Sequence, residues 1–191
     1  MAVRYRKSVM AEAKQGLVGA LEKADDFATA TVNAVSGTME HTLKGTRALG
    51  KELGGLMFET VAGLVLGTAE AGMKADNAAK SIMIGSIRGA HQVGRDSLDT
   101  VSGVAASLVK SMSHAGGNIV NAAQGAVLGA IDAARDCGLN VEETASAAAS
   151  GAVHGASEIG PEQAAMVRQV LTPTVAGVSI TIREPMERAG A

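Results

Sequence analysis

The stretch Gly138-Leu139-Asn140-Val141-Glu142-Glu143 carries, in six residues, the signals that end one helix and begin the next. A glycine just past a helix end can take the left-handed backbone conformation that stops the helix. Asn140 can then accept hydrogen bonds from the free N–H groups of the following helix, and Glu143 stands where a capping box has its acid. The stretch therefore predicts two helices joined by a tight turn.

Related turns recur through the chain at intervals of 22 residues. Gly94-Arg95-Asp96, with Asp99 three residues after the aspartate, repeats the cap, and Gly116-Gly117-Asn118 repeats it with an asparagine. Gly160-Pro161 places a proline where the first turn of a helix tolerates one. Counted in blocks of 22 from Thr42, the ninth position is glycine in all six blocks. These predicted turn glycines are Gly50, Gly72, Gly94, Gly116, Gly138 and Gly160.

Two architectures are compatible with a 22-residue period. Because 22 is twice eleven, one is a long continuous helix with an 11-residue period. The other is one helix and one turn in each unit. A continuous helix would make the two halves of a unit alike, but the ninth position is always glycine and the twentieth never is. This difference favours helix plus turn, with the continuous helix as the alternative.

The predicted fold is all-α, an antiparallel helical array of tandem 22-residue repeats followed by one short C-terminal β-strand. Turns of two or three residues make successive helices antiparallel. The repeat helices are expected near residues 53–71, 75–93, 97–115, 119–137 and 141–159, after less regular ones near 9–24 and 27–49. We divide the chain into irregular N-terminal helices (1–41), the repeat array (42–171), and the strand and tail (172–191).

Small residues form a row along the predicted helices. A glycine inside a helix costs about 1 kcal/mol relative to alanine, so several in one helix indicate that a neighbouring backbone packs directly on them. The composition agrees, because two Phe, one Tyr and no Trp leave a core of thin side chains. The predicted helix-packing glycines are Gly63, Gly67, Gly85, Gly89, Gly129, Gly151 and Gly155.

The sequence changes character after Leu171. Thr172-Pro173-Thr174 interrupts the helix, and residues 177–183 alternate apolar and polar side chains, many of them β-branched, which predicts a strand. A single strand in an all-helical chain leaves its backbone edge without a partner. We expect it to pair with a second copy of the chain; pairing with another protein, or lying unpaired against the array, are the alternatives. The predicted association residues are Val178, Ile180 and Ile182.

The composition argues against several classes of protein. A net charge of −2 and a pI near 6.1 leave no basic field for nucleic acid. Cys137 is the only cysteine, so no intrachain disulfide is expected. No apolar run is long enough to cross a bilayer, and the N-terminal residues lack the apolar core of a secretory signal. We therefore expect a cytoplasmic protein without a transmembrane span.

No group of residues predicts a catalytic, cofactor-binding or metal site. The segment 45–52 has the glycine and lysine spacing of a phosphate-binding loop, but Glu52 stands where a Ser or Thr would hold magnesium. His91 and His114 occupy nearly matching repeat positions, which antiparallel packing places at opposite ends of neighbouring helices. Cys137 lies at a predicted helix C-terminus, where the helix dipole opposes thiolate formation. The sequence therefore predicts a protein that is not an enzyme and needs no cofactor.

Units such as 129–140 and 151–160 resemble Ala-rich amphipathic repeat proteins in composition and periodicity. Apolipoproteins, the phasins of polyester granules, desiccation-protection proteins and helical antifreeze proteins are of this kind. We expect a structural or scaffolding protein that forms a homo-oligomer. The alternative is a coat for an apolar surface such as lipid or a polyester granule, which needs broad bulky faces flanked by aromatic or Lys side chains. The Gly and Ala rows favour contact between helices.

Overall fold

Eight helices and one two-stranded hairpin form the described part of the chain. The computed structural model describes residues 2–24, 26–45 and 51–183. The helices are α1 (Ala2–Leu21), α2 (Phe27–Gly45), α3 (Lys51–Glu70), α4 (Ala75–Gln92), α5 (Leu98–His114), α6 (Ile119–Cys137), α7 (Val141–Ser157) and α8 (Pro161–Leu171). The strands are β1 (Thr174–Val175) and β2 (Val178–Ser179). The prediction of an all-α helical array with β-structure at the C-terminal end is confirmed, but the single strand predicted over residues 177–183 is instead a hairpin of two short strands.

Four of the predicted turn glycines end helices in the left-handed conformation. They are Gly72, Gly94, Gly116 and Gly138, with φ between 65° and 73°. In each turn the residue after the glycine donates its N–H to a carbonyl five residues back, as Leu139 does to Ala134 at 2.8 Å. This Schellman pattern satisfies carbonyl groups that a helix end leaves free. The helix-plus-turn interpretation is thus confirmed over the continuous helix; Gly50 lies outside the described residues.

Gly160 differs from the other turn glycines. Its φ of 173° is extended backbone, so the prediction of a left-handed helix end is wrong at this position. It stands directly before Pro161, the first residue of α8, and a proline disfavours the helical conformation in the residue that precedes it. The residue after α7, Glu158, keeps right-handed helical angles. The connection therefore needs no left-handed residue.

Side-chain caps begin the later helices. Asn118 and Asn140 accept hydrogen bonds from backbone N–H groups of α6 and α7, as the turn chemistry predicts. At α5 the cap is Ser97, which stands one residue after the predicted Asp96. The Asp96 carboxylate bonds the His91 ring instead, at 2.6 Å. The error arises because a serine and an aspartate stand side by side and both are good caps.

Successive helices alternate in direction, but the tightest packing joins every second helix. Gly125 packs on Asp76 and Gly129 on Lys80, so α4 and α6 run parallel. The pairs α1–α3, α2–α4 and α5–α7 are arranged in the same way. The array therefore has an odd layer of α1, α3, α5 and α7 and an even layer of α2, α4, α6 and α8. Residue 41, the boundary placed from sequence, falls inside α2.

The core lies between the two layers. Leu17 and Leu64 from the odd layer, and Met39 and Ile131 from the even layer, are fully buried. Alanines fill most of the remaining interior of α6 and α7. Small side chains of this kind allow the two layers to approach closely. The scarcity of aromatic residues in the sequence predicts such a core.

We expect Gly138→Ala to lower the free energy of unfolding by about 1 kcal/mol or more, because alanine is strained at a φ of 69°. Chemical denaturation monitored by circular dichroism measures the change. A rise in stability would contradict the left-handed helix end and favour an uninterrupted helix through this turn.

Candidate functional site

Four helices carry two glycines four residues apart, and each pair lies against the backbone of the helix two before it. We call each such contact a seam. A β-carbon placed on Gly129 would lie 2.5 Å from the carbonyl oxygen of Lys80, and one on Gly155 would lie 2.5 Å from that of Ala106. Side chains larger than glycine cannot fit between backbones this close. The seam glycines are Gly63 and Gly67 on α3, Gly85 and Gly89 on α4, Gly125 and Gly129 on α6, and Gly151 and Gly155 on α7.

All seven predicted helix-packing glycines lie in seams, and Gly125 is a further one that the sequence analysis missed. A signal for it exists, because Gly125 precedes Gly129 by four residues, the spacing of the other seam pairs. The partner of each glycine row was not assigned from sequence. The structure shows that it is the parallel helix two before, rather than the antiparallel neighbour.

Ion pairs cross the seams beside the glycines. Lys14 reaches Glu70 at 2.6 Å, between α1 and α3, and Lys80 reaches Asp132 at 2.7 Å, between α4 and α6. In both cases the acid follows a seam glycine by three residues, and the carbonyl of the same lysine lies on that glycine. The side chains are 39 to 53% exposed, so each pair contributes little stability. Their repetition helps to set the register between parallel helices.

The contact between α3 and α5 is built differently. Ser107 and Ser111 stand at repeat positions that are glycine on α3, and both are buried. Phe58 fills the space on the α3 side, with its ring centroid 5.2 Å from the Lys110 ammonium and 6.3 Å from the His114 ring. Among the described residues, the buried hydroxyl of Ser111 has no hydrogen-bond partner, which is unfavourable. The contact between α3 and α5 therefore has buried serines where the seams have glycines.

The predicted association strand has partners within its own chain. β1 and β2 pair antiparallel around a turn in which Ala176 and Gly177 both have positive φ. The N–H of Ile180 donates to the Pro173 carbonyl at 3.0 Å. Val178 and Ile180 are buried in the core, and Ile182 packs against it. The expectation that this edge lacks a partner in the chain is wrong.

Two serines of α7 explain why the strand needs no second copy. Thr181 donates its N–H to Ser146 Oγ at 3.0 Å, and Arg183 donates to Ser150 Oγ at 2.8 Å. Ser146 and Ser150 stand two repeat units after Ser102 and Ala106, the α5 residues that meet the glycines of α7. The C-terminal segment, residues 172–183, thus covers the face on which a further helix of the odd layer would pack.

Several grooves lie on the surface of the described residues. One, about 1060 Å³, runs between α2 and α4 and is lined by Phe27, Lys74, Lys80 and Arg88 among others. Lys80 and Arg88 are paired with Asp132 and Asp136, so two of the three basic side chains that line the groove are already engaged by carboxylates. A second, about 610 Å³, lies between α1 and α2, and a third, about 310 Å³, lies between α5, α7 and Arg183.

The titratable groups with shifted pKa values are explained by local contacts. The hydrogen bond with His91 lowers the pKa of Asp96, and the hydrogen bond from the Thr29 side chain lowers the pKa of Asp26. Burial raises the pKa of the Cys137 thiol, which keeps it protonated at neutral pH. Within residues 2–24, 26–45 and 51–183, no three His, Cys, Asp or Glu side chains are placed to hold a metal ion.

These features define the class of protein: a two-layer helical repeat array in which each unit contacts only nearby units. In the described parts of the chain, no helix is both long and apolar enough to span a bilayer. Comparison with protein-family models, curated proteins and solved structures finds no match.

Proposed function

We propose that the protein is a non-enzymatic structural scaffold that self-associates. The seams carry the proposal. Four pairs of helices are held with their backbones in direct contact, which fixes the spacing of the array with little dependence on flexible side chains. A helical array with fixed spacing suits a scaffold protein, which holds its binding partners at a fixed distance from one another.

The distribution of apolar side chains supports a scaffold over a surface coat. The bulky aliphatic and Met residues already face one another between the layers. Among the residues whose side chains the structure describes, the large apolar ones that remain exposed are separated along the chain: Phe27, Leu66, Leu98, Ile159 and Met166. A lipid or polyester coat would have to open the layers and exchange the buried contacts for contacts with the apolar surface.

The polar groups support a role without catalysis. The hydrogen bonds of His91 and the ion pair of His154 with Glu158 are each formed within one helix or one turn. Catalytic sites commonly bring reactive side chains together from different elements of the fold. In the described chain the charged pairs that join different helices flank seams, where they help to hold the register of parallel helices.

The test compares the purified protein in plain buffer with the protein mixed with phospholipid vesicles or polyester granules. A scaffold is expected to show high helicity and a cooperative melt in plain buffer, and light scattering should give a mass above that of one chain. A spectrum that becomes helical only when vesicles or granules are added would overturn the proposal in favour of the coat. A single-chain mass at every concentration would overturn self-association.

A further inference from the structure

The groove between α5, α7 and the C-terminal segment is lined by side chains of both charges. Its volume of about 310 Å³ is at the lower end of the sizes usual for small-molecule sites. Its acidic residues are Asp99 and Glu143, and its basic ones are His154 and Arg183. His154 is paired with Glu158, whereas the described part of the chain gives the other three no ion pair. The groove therefore offers two carboxylates and one guanidinium to a ligand.

Two serine hydroxyls line the groove beside Arg183. Ser146 is only 9% exposed, and Ser150 is half-buried. The oxygen of each accepts a backbone N–H of the C-terminal segment, which leaves its proton to be donated. Neither proton has an acceptor among the residues that the structure describes. A buried donor without an acceptor is unfavourable, and a carboxylate bound beside the guanidinium would accept both hydrogen bonds.

The opposite charges lie on different sides of the groove. The Ser102 carbonyl of α5 lies on Gly151 of α7, so Asp99 is about one helical turn before this contact on the α5 side. Glu143 stands in the first turn of α7, toward the same end of the groove. Arg183 belongs to the C-terminal segment and lies on the other side of α7. A ligand in the groove thus meets negative charge from the helices and positive charge from the segment.

We propose that this groove binds a small zwitterion, of the size of an amino acid or a dipeptide. The ligand carboxylate contacts Arg183 and the two serine hydroxyls, and the ligand ammonium group contacts Asp99 and Glu143. A ligand with only negative charges would be repelled by the two carboxylates. Bound in this way, the zwitterion joins the C-terminal segment to α5 and α7 and so holds the segment in place. This binding does not depend on the self-association proposed above.

The experiment titrates the full-length protein with L-alanine and with L-alanyl-L-alanine by calorimetry. At least one of them should bind saturably at one site per chain. The matching N-acetyl and C-terminal amide derivatives, each of which lacks one charge, should bind about tenfold more weakly or worse. Arg183→Gln and Asp99→Asn should have the same effect, and both leave the backbone hydrogen bonds of the segment in place. Glu162→Gln, which removes a first-turn acid of α8 outside the groove, is the matched control and should bind normally.

Hydrogen exchange measures the second consequence, because the bound ligand should slow exchange of the Thr181 and Arg183 N–H groups. Absence of saturable binding by both probes would overturn the site. Binding that Arg183→Gln and Asp99→Asn leave unchanged would place the ligand elsewhere and overturn it too. Equal binding of the probe and its N-acetyl derivative would mean that the carboxylates take no part, which contradicts recognition of a zwitterion. An equal loss in Glu162→Gln would reduce the effect to overall charge.

Discussion

Gly155→Ala is expected to destabilise the protein by about 2 to 3 kcal/mol, although the same change in an open helix is stabilising. The new β-carbon would lie 2.5 Å from the Ala106 carbonyl oxygen and 2.8 Å from the Ala106 α-carbon. Both are backbone atoms, so no side-chain rotation relieves the clash. α5 and α7 must move apart, and the contacts on both sides of the seam are weakened. Gly155→Leu should cost more than Gly155→Ala, because the larger side chain forces a wider separation.

Gly37→Ala is the matched control for this prediction. Gly37 is also a helical glycine, but nothing lies within 4 Å of where its β-carbon would be. Alanine should therefore raise the free energy of unfolding by about 0.5 to 1 kcal/mol, through helix propensity alone. Urea denaturation of both variants and of the wild-type chain measures the two changes in the free energy of unfolding. Equal effects at Gly155 and Gly37 would show that the seams are not in backbone contact.

Deleting residues 172–191 is expected to destabilise the protein by about 3 kcal/mol and to raise its apparent mass. Val178 and Ile180 are at least nine-tenths buried, and their removal exposes the apolar groups they cover. It also uncovers Ser146 and Ser150 on a face equivalent to the one that receives α7 on α5. With this face open, copies can stack on one another. Thermal melts and sedimentation of the truncated chain measure the two effects.

The double variant Ser146→Ala, Ser150→Ala is the control for the deletion. It removes two hydrogen-bond acceptors, at a cost of about 1 kcal/mol each, while Val178 and Ile180 still cover α7. It should lower the melting temperature by about 4 to 8 °C and leave the mass unchanged. A fall in mass on deletion would instead mean that the strand holds copies together, as the sequence first suggested.

The turns were predictable because their chemistry is local. A left-handed residue at a helix end requires glycine, and the residues that follow Gly116 and Gly138 provide the cap of the next helix. Gly160 shows the limit of this reasoning. It occupies the same repeat position, but the proline beside it changes the conformation that the position must take.

The seams and the C-terminal contact were harder to predict because their partners are distant in sequence. The spacing of Gly151 and Gly155 indicates that something packs on them, but not that it is α5 rather than α6. Similarly, nothing in the sequence of α7 indicates that Ser146 and Ser150 accept hydrogen bonds from a distant segment. Only the two-layer arrangement shows that they stand where the next helix of the layer would pack, and that residues 181 and 183 take its place.

The seams also fix how such a protein can change length during evolution. Because each glycine pair fits the helix two before it, inserting a single 22-residue unit would place later helices against the wrong partner and in the opposite layer. Inserting two units returns each later helix to its own layer and direction. Relatives of different length should therefore differ by whole helical hairpins. The unit that is gained or lost should be two repeats long, twice the 22-residue spacing of the turn glycines.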